Sequence, residues 1–346
     1  MNKIVLASEP FIRLLQRRNV MLTRKTSPTL LAFALAALLW FSAMPAQAAA
    51  RGSFQRTLNV TGPVDLDVRT GSGDIEVRSG AVNSVQVTGR IKASGWSDNA
   101  EEKVRKLEQN PPIEQNGNSI RIGYITDPEL RHNISIDYQI VVPQATNLTA
   151  HSGSGDLKID GIKGPLVART GSGDVHISNL GSRVEAHSGS GDLRMENING
   201  DVLARAGSGN IQGDGVAGAF DAETGSGDVT LRQTAAGEVR VRTGSGGLDL
   251  HGVRGMLDAN TGSGDLTVEG TPGGEWKLGA GSGTIKLLLP SSAGFDLDAS
   301  TSSGSISLNH SVAVSGSISN HSVRGKAGAG GSLVEIRTGS GDIEIE

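Results

Sequence analysis

The sequence contains no cysteine, which excludes disulfides, thiolate metal sites, cysteine nucleophiles and a lipid-modified N-terminal cysteine. Aromatic residues are scarce, with six Phe, three Trp and two Tyr in 346 residues, so the core must be built from smaller side chains. There is no basic excess either, because 32 Lys and Arg face 36 Asp and Glu, and a nucleic-acid partner is therefore not expected.

Glycine is the abundant residue, with 49 copies beside 11 prolines. This content stays below the roughly 25–30% of Gly and Pro that marks low-complexity disorder. A hydrophobic fraction of 36% is enough for an ordered chain. The composition therefore predicts a folded protein with many turns and a core of small and aliphatic side chains.

The first 48 residues are predicted to be a secretory signal peptide. Arg24 and Lys25 precede an apolar run over 30–44, and a small-residue site ends at Ala48. The 15-residue run is shorter than the about 20 residues that span a bilayer. We expect cleavage after Ala48, Met21 as the true start, no membrane span after cleavage, and a periplasmic, cell-surface or extracellular location.

The tripeptide Gly-Ser-Gly recurs along the chain at a nearly constant spacing. From residue 153 the intervals are 18, 18, 18, 18, 19, 18, 19 and 21 residues, the last leading to a degraded copy at 302–304. A fixed period near 20 residues is typical of a solenoid, in which each repeat stacks on its neighbours. The copies begin at residues 71, 153, 171, 189, 207, 225, 244, 262, 281 and 339.

Apolar and polar residues alternate on both sides of each Gly-Ser-Gly. Apolar residues stand five and three places before it, as in Leu166 and Ala168, and four and six places after it, as in Val175 and Ile177. Alternation with period two predicts a strand on each side of the turn. The chain is therefore predicted to be all-β, a parallel β-helix (β-solenoid) of about 18-residue rungs with right-handed connections.

Residues 49–150 are predicted to differ from the repeat array, 151–346. They contain strands and one short helix over 100–110, which residues 97–99 are suited to cap. This N-terminal β segment is expected to begin the solenoid and to cap its open end, because a terminal repeat must cover the core of the array.

The array is predicted to finish on a regular unit at the end of the sequence. In this arrangement its final strand is an open sheet edge. Glu344 and Glu346 lie on that strand, and their charges are expected to discourage edge-to-edge association.

Four stretches carry a resemblance to a known family. They are VDLDVRTGSGDIEV from residue 64, YQIVVPQATNLTAHSGSGDLKIDG from residue 138, the recurring x-A-x-T-G-S-G-D rungs, and IKLLLPSSAGFDLDASTSSGSI from residue 285. Over 54–346 the sequence resembles the "putative adhesin" family of bacterial β-strand-repeat proteins. The resemblance implies an exported β-helical domain of unknown function with no established catalytic residues.

An aspartate directly follows most Gly-Ser-Gly turns. A short carboxylate there is expected to accept backbone N–H bonds and fix the turn, as Asn210 would in the same column. A competing interpretation is structural calcium, because Asp156, Asp174 and Asp192 lie on consecutive predicted rungs and repel one another without a cation. The column comprises Asp74, Asp156, Asp174, Asp192, Asp228, Asp265 and Asp342.

Two more polar columns precede the turn. A hydroxyl column directly before it is expected to form a stacked hydroxyl ladder, and comprises Thr170, Ser188, Thr224, Thr243 and Thr261. An outward column one place earlier comprises His151, Arg169, His187 and Arg205. Its two histidines are two rungs apart, about 9.6 Å, too far to share a metal ion. The column is interpreted as a solvated face, with a patch for an anionic polymer as the alternative.

The sequence favours a non-enzymatic, adhesin-like binding or scaffold surface in the cell envelope. No catalytic residue and no cofactor is predicted, and the partner is an envelope component, glycan or protein. Parallel β-helices also include carbohydrate-active enzymes, but these place their sites among long loops, which units 153–281 lack. That enzyme and an envelope-stress accessory that binds another protein are the alternatives.

Overall fold

The computed structural model describes residues 50–80, 83–93, 99–309, 312–313 and 318–346. These residues belong to one compact unit, Ala48–Glu346. The expected signal peptide, its cleavage site and Met21 lie outside the described residues. The helices are α1 (Ala100–Gln109) and α2 (Pro128–Arg131). The first strands are β1 (Ala50–Asn59), β2 (Val64–Thr70), β3 (Ile75–Gly80), β4 (Ser84–Ala93), β5 (Ile113–Asn116), β6 (Ser119–Ile122) and β7 (Ile134–Pro143).

The repeat array continues with regularly spaced strands. They are β8 (Thr146–Ser152), β9 (Leu157–Asp160), β10 (Leu166–Thr170), β11 (Val175–Leu180), β12 (Val184–Ser188), β13 (Leu193–Ile198), β14 (Val202–Ala206), β15 (Ile211–Val216), β16 (Phe220–Thr224), β17 (Val229–Gln233), β18 (Val239–Thr243), β19 (Leu248–Val253), β20 (Leu257–Ser263), β21 (Leu266–Gly270), β22 (Trp276–Ser282) and β23 (Ile285–Leu288). The remaining strands are β24 (Phe295–Ser303), β25 (Ile306–Leu308), β26 (Val312–Ala313), β27 (Ile318–Ser319), β28 (Ser322–Ala327), β29 (Ser332–Ser340) and β30 (Ile343–Ile345).

The strands form two long sheets. The first sheet has fourteen strands in the order β1-β4-β7-β3-β9-β11-β13-β15-β17-β19-β21-β23-β30-β25. The second sheet has sixteen, in the order β26-β28-β24-β29-β22-β20-β18-β16-β14-β12-β10-β8-β2-β6-β5, with β27 also paired to β28. From β8 to β23 consecutive strands alternate between the sheets, so each rung gives one strand to each. The predicted all-β solenoid is confirmed.

Neighbouring rungs pair in parallel and in register. In the second sheet, Leu166 lies between Leu148 and Val184, each eighteen residues away. In the first sheet, Val175 lies opposite Leu193 in the same way. The sequence period is therefore the number of residues in one turn of the solenoid.

The inward columns of both sheets are buried and form one core. Small and large residues complement one another across it. Phe220 is fully buried because the facing column has glycine at Gly213, where a Cβ would lie only 2.9 Å from the Phe220 ring. Trp276 is also fully buried, and its indole N–H donates to Gly255 O at 2.8 Å. The solenoid thus accepts single aromatic residues where a neighbouring position provides the space.

The Gly-Ser-Gly turns stack closely on each other. A Cβ at Gly173 would lie 2.1 Å from Gly155 O, and a Cβ at Gly171 would lie 2.3 Å from Gly153 O. Neither distance is compatible with a side chain. Both glycines are therefore required wherever a turn stacks on a preceding Gly-Ser-Gly turn.

A second corner follows the strands of the first sheet. Asn179 and Asn197 adopt left-handed backbone angles, with φ of 57° and 54°. Asparagine tolerates this region better than other non-glycine residues. Its side chain also stacks here, because Asn197 Nδ2 donates to Asn179 Oδ1 at 3.2 Å. The equivalent corner glycines are Gly161, Gly215 and Gly252.

At the N-terminal end, β7 pairs in parallel with β3, β4 pairs antiparallel with β7, and β1 pairs antiparallel with β4. The predicted helix is confirmed as α1, which buries Val104 and Leu107 against this part of the sheet. Its predicted cap is wrong at Asn99, whose φ is 73° and whose side chain makes no capping bond. Residues 97 and 98 lie outside the described residues. The short helix α2 is an element that the sequence analysis missed.

At the other end, the order of strands in space departs from their order in the chain. β29 and β30 lie between the rung β22–β23 and the rung β24–β25. The prediction that the final unit forms an open edge is therefore wrong. Glu344 and Glu346 instead lie beside Lys286 of β23, with Nζ–Oε2 distances of 3.9 and 3.2 Å. At this end of the stack the edge strand of the first sheet is β25.

Candidate functional site

The aspartate column forms a hydrogen-bonded ladder along the turns. Asp156 N–H donates to Asp74 Oδ1 at 3.0 Å, and Asp174 N–H donates to Asp156 Oδ1 at 2.9 Å. Asp192 N–H donates to Asp174 Oδ1 at 2.8 Å. Each carboxylate thus accepts a backbone N–H of the next rung and holds two turns together.

An amide can replace a carboxylate in this ladder. Asn210 N–H donates to Asp192 Oδ1 at 2.8 Å, and Asp228 N–H donates to Asn210 Oδ1 at 2.9 Å. The next residue, Gly247, donates its N–H to Asp228 Oδ1 at 2.8 Å. Because glycine has no side chain, the ladder stops there.

The ladder has further members at both ends of the stack. Asp265 Oδ1 accepts from Thr284 N–H at 2.8 Å. Asp342 Oδ1 accepts the N–H and the hydroxyl of Ser305, and these two bonds lower the pKa of Asp342. At the N-terminal end Asp74 N–H donates to Asp137 Oδ1 at 3.3 Å. The sequence analysis missed Asp137 because no Gly-Ser-Gly precedes it.

The carboxylates of this column are spread along the stack, with no more than one in each rung. Asp156, Asp174 and Asp192 each use Oδ1 to accept an N–H of the following rung. Within the described residues, no group of three or more His, Asp or Glu side chains is arranged to hold a metal ion. The arrangement can therefore hold adjacent turns together with protein groups alone.

The hydroxyl column is built differently from the expected hydroxyl-to-hydroxyl ladder, and that expectation is wrong. Thr170 Oγ1 donates to Gly155 O of the preceding rung at 3.0 Å and accepts Gly173 N–H of its own turn at 3.1 Å. The Thr170 hydroxyl thus bonds to backbone atoms of two successive turns. The same donation to the preceding rung is made by Ser152, Ser188, Thr224, Thr243 and Thr261.

The outward side of β8, β10, β12, β14, β16, β18 and β20 forms a face that we call the charged face. The predicted outward column is brought together there, because Arg169 lies between His151 and His187, and Arg205 follows. The carboxylates of the face lie on β12, β16 and β20, at Glu185, Asp221, Glu223 and Asp258. The predicted column is therefore one half of a mixed-charge surface.

Arginines of the charged face are paired with carboxylates. Arg205 lies 2.9 Å from Asp221 and 3.3 Å from Glu223, both on the next strand. Arg242 lies 2.8 Å from Asp258 on the following strand. These ion pairs join neighbouring rungs. Carboxylates of the face therefore neutralise most of its arginine charge, and the face does not form a cationic stripe.

The Arg169–Glu185 pair shows the electrostatic effect of this arrangement. Arg169 donates to Glu185, and His187 Nε2 lies 3.1 Å from the same carboxylate. The hydrogen bond from Arg169 is the main cause that lowers the pKa of Glu185. At His151 burial favours the neutral imidazole and, with the Arg69 charge, lowers its pKa.

The outward side of the first sheet holds a histidine that the sequence analysis did not select. His251 Nδ1 lies 2.7 Å from Glu269 Oε2, and its Nε2 lies 2.9 Å from Asp249 Oδ1. The hydrogen bond to Glu269 is the main cause that raises the pKa of His251. No sequence motif joins these residues, because the rung stacking brings Glu269 beside His251.

Among the described parts of the chain, neither helix has the length and apolar character needed to cross a bilayer.

A profile of the family described as Toastrack DUF4097 matches residues 51–214 and 199–346. No curated protein matches the chain. Solved structures similar to it include a "putative cell adhesion protein" from Clostridium sporogenes ATCC 15579, at 13% identity over 85% of this chain and 98% of that chain, with a TM-score of 0.21. Others are a "putative adhesin" from Bacteroides fragilis NCTC 9343 (12%, 85% and 97%, TM-score 0.31) and a "putative lipid binding protein" from Parabacteroides distasonis ATCC 8503 (14%, 85% and 97%, TM-score 0.41).

Proposed function

Because the chain belongs to the Toastrack DUF4097 family, we propose that it is an exported, non-enzymatic β-solenoid that acts as an adhesin-like binding scaffold in the cell envelope. The observation that carries the proposal is the in-register stacking of rungs from β8 to β23. It places equivalent outward side chains at intervals of about 4.8 Å. A rigid surface of this kind suits a partner that is itself extended or repetitive.

The charged face is the proposed binding surface. Its arginines are already paired with carboxylates, as Arg205 is with Asp221 and Glu223. Exposed ion pairs contribute little to stability, so these side chains can exchange partners at small cost. The face therefore suits many weak polar contacts with an envelope glycan or protein rather than attraction by net charge.

Cosedimentation of residues 49–346 with isolated cell envelopes, over a series of salt concentrations, tests the proposal. Pelleting that persists at high salt is expected, because the face carries both charges and its contacts are not purely electrostatic. A protein that stays in the supernatant at every salt concentration would contradict an envelope scaffold.

Paired variants test which face binds. Arg169→Ser with Arg205→Ser removes two positive charges from the charged face, and pelleting is expected to fall several-fold. Arg194→Ser with Arg232→Ser also removes two positive charges, but from the outward side of the first sheet, and serves as the control. Equal loss in both variants would contradict a role for the charged face. Cleavage of a polysaccharide by the purified protein would overturn the non-enzymatic assignment.

A further inference from the structure

A cleft lies where the regular turn is absent at the N-terminal end of the stack. β6 and β7 pair with β2 and β3 as the next layer, yet no Gly-Ser-Gly connects them. The connection is instead the loop 123–133, which contains α2. Between this loop and the first turn is a cavity of about 420 Å³, within the size range of small-molecule sites.

Tyr138, one of the residues that line the cleft, has a buried hydroxyl without a partner among the described residues. Tyr138 is 1% exposed, and its ring packs edge-on against Phe54 with a centroid distance of 6.4 Å. Its hydroxyl has no hydrogen-bond partner among the described residues. Burial raises the pKa of Tyr138 well above its usual range, so the hydroxyl keeps its proton as a donor. A buried donor left unpaired is costly, and a ligand atom that accepts from it removes that cost.

Three isoleucines give the cleft an apolar surface. Ile125, Ile134 and Ile136 line it together with Tyr138. Ile136 is buried, whereas the other two are half-buried and present apolar surface to the cavity. An aliphatic or aromatic body would gain from contact with these side chains.

The charged side chains that line the cleft are both arginines. Arg69 is engaged with Asp67 at 3.2 Å, and its guanidinium lies over the Tyr124 ring at 4.7 Å. Arg131, the last residue of α2, makes no salt bridge with the described residues and is exposed. The cleft thus offers one available positive charge beside its apolar walls.

From these features we propose that the cleft binds a small amphiphilic anion. The apolar body of the ligand lies along the isoleucines, and its oxygen atoms accept from the Tyr138 hydroxyl and pair with Arg131. This site is separate from the charged face and does not depend on the binding role proposed for it. Carboxylate and phosphate head groups share this chemistry, and the experiment separates them.

The probe is 1-anilinonaphthalene-8-sulfonate, which combines an aromatic body with an anionic group and fluoresces when bound. Saturable binding at one site of the full mature chain is expected, and N-phenyl-1-naphthylamine, which lacks the sulfonate, is expected to bind more weakly. Octanoate and octyl phosphate are then compared as competitors. Displacement by either supports the proposal, and the stronger competitor identifies the head group. Equal displacement by octanol would overturn it.

Three variants locate the site. Tyr138→Phe and Arg131→Gln are each expected to weaken probe binding about tenfold, the value of one good hydrogen bond or ion pair. Gly71 lines the cleft, and a Cβ at this position would meet nothing within 4 Å. Gly71→Leu is therefore expected to fill the cleft with a side chain and to abolish binding. Arg232→Gln, on the outer side of the first sheet, is the control and should bind like the wild type.

Thermal unfolding separates a ligand role from a structural role for Tyr138. Because its hydroxyl has no partner among the described residues, Tyr138→Phe should melt no lower than the wild type. The probe should raise the melting temperature of the wild type more than that of the variant. A lower melting temperature for the unliganded variant, or unchanged probe binding in Tyr138→Phe and Arg131→Gln, would overturn the proposal.

Discussion

At the scale of single residues, the solenoid depends on polar side chains that bond to the backbone of a neighbouring turn. The buried hydroxyl of Thr170 donates to one rung and accepts from its own. The carboxylate of Asp174 accepts from the rung that follows. Both side chains therefore satisfy backbone groups that the glycine-rich turns leave without sheet partners.

Ala206 interrupts the hydroxyl column, which gives a direct test. Its neighbours in the column are Ser188 and Thr224, and adjacent threonines already stack at Thr224 and Thr243. Ala206→Thr should therefore fit, donate to Gly191 O and stabilise the fold by about 1 kcal/mol. Urea unfolding measures the change. Ala206→Val has the same shape without the hydroxyl, and if it stabilised the protein equally, packing rather than hydrogen bonding would be responsible.

Two histidines are expected to titrate on opposite sides of the usual value near 6.5. The carboxylates of Glu269 and Asp249 raise the pKa of His251, whereas burial and Arg69 lower that of His151. NMR titration of the imidazole protons measures both.

The raised pKa of His251 also makes the stability of the fold depend on pH. Protonated His251 stabilises the fold fully below the unfolded pKa, and this contribution is lost as pH rises through the folded pKa. His251→Gln should therefore flatten the decline of stability that begins as pH rises above the usual imidazole pKa of about 6.5. An unchanged pH profile in the variant would contradict the contribution of His251.

At the scale of elements, the sequence allowed the regular rungs to be predicted because their alternation and glycine spacing are local. The helix α1 was predictable for the same reason. The position of β29 and β30 in the stack was not predictable. Their sequence pattern is that of any other rung, and such a pattern does not show which rungs become neighbours in space. The charged column was located correctly, whereas its carboxylate partners became visible only through the register of adjacent strands.

The inserted position of β29 and β30 predicts an unusual result of two deletions. Removal of residues 291–330 leaves eighteen residues between the Gly-Ser-Gly turns at 281 and 339. The final unit then follows β22 and β23 as an ordinary rung, with its native pairing. Removal of residues 332–346 deletes fewer residues, but it takes a pairing partner from both the β22–β23 rung and the β24–β25 rung.

Circular dichroism during heating compares the two variants. The long internal deletion should lose less stability than the short truncation, because only the truncation breaks pairing on two sides. The wild type is the common reference. A truncated protein that melted as the wild type does would show that β29 and β30 are not held between two rungs.

At the scale of the whole molecule, the ladder of turn carboxylates predicts folding without calcium. Asp156, Asp174 and Asp192 each bond to a backbone N–H of the next rung, which makes a bridging cation unnecessary. The melting temperature of the purified protein should be the same in a chelator and in millimolar calcium. A clear rise with calcium would instead favour the structural-calcium interpretation.

The same strand order also affects how the molecule is completed as it is synthesised. A solenoid whose rungs follow chain order can close each layer as soon as it emerges. Here the layer of β24 and β25 finds its parallel neighbours only after β29 and β30 have been made. Until then the layer of β22 and β23 keeps exposed edges, which are open to proteases and to aggregation. Interleaving β29 and β30 thus couples the two neighbouring layers, so that they form together as one cooperative folding unit.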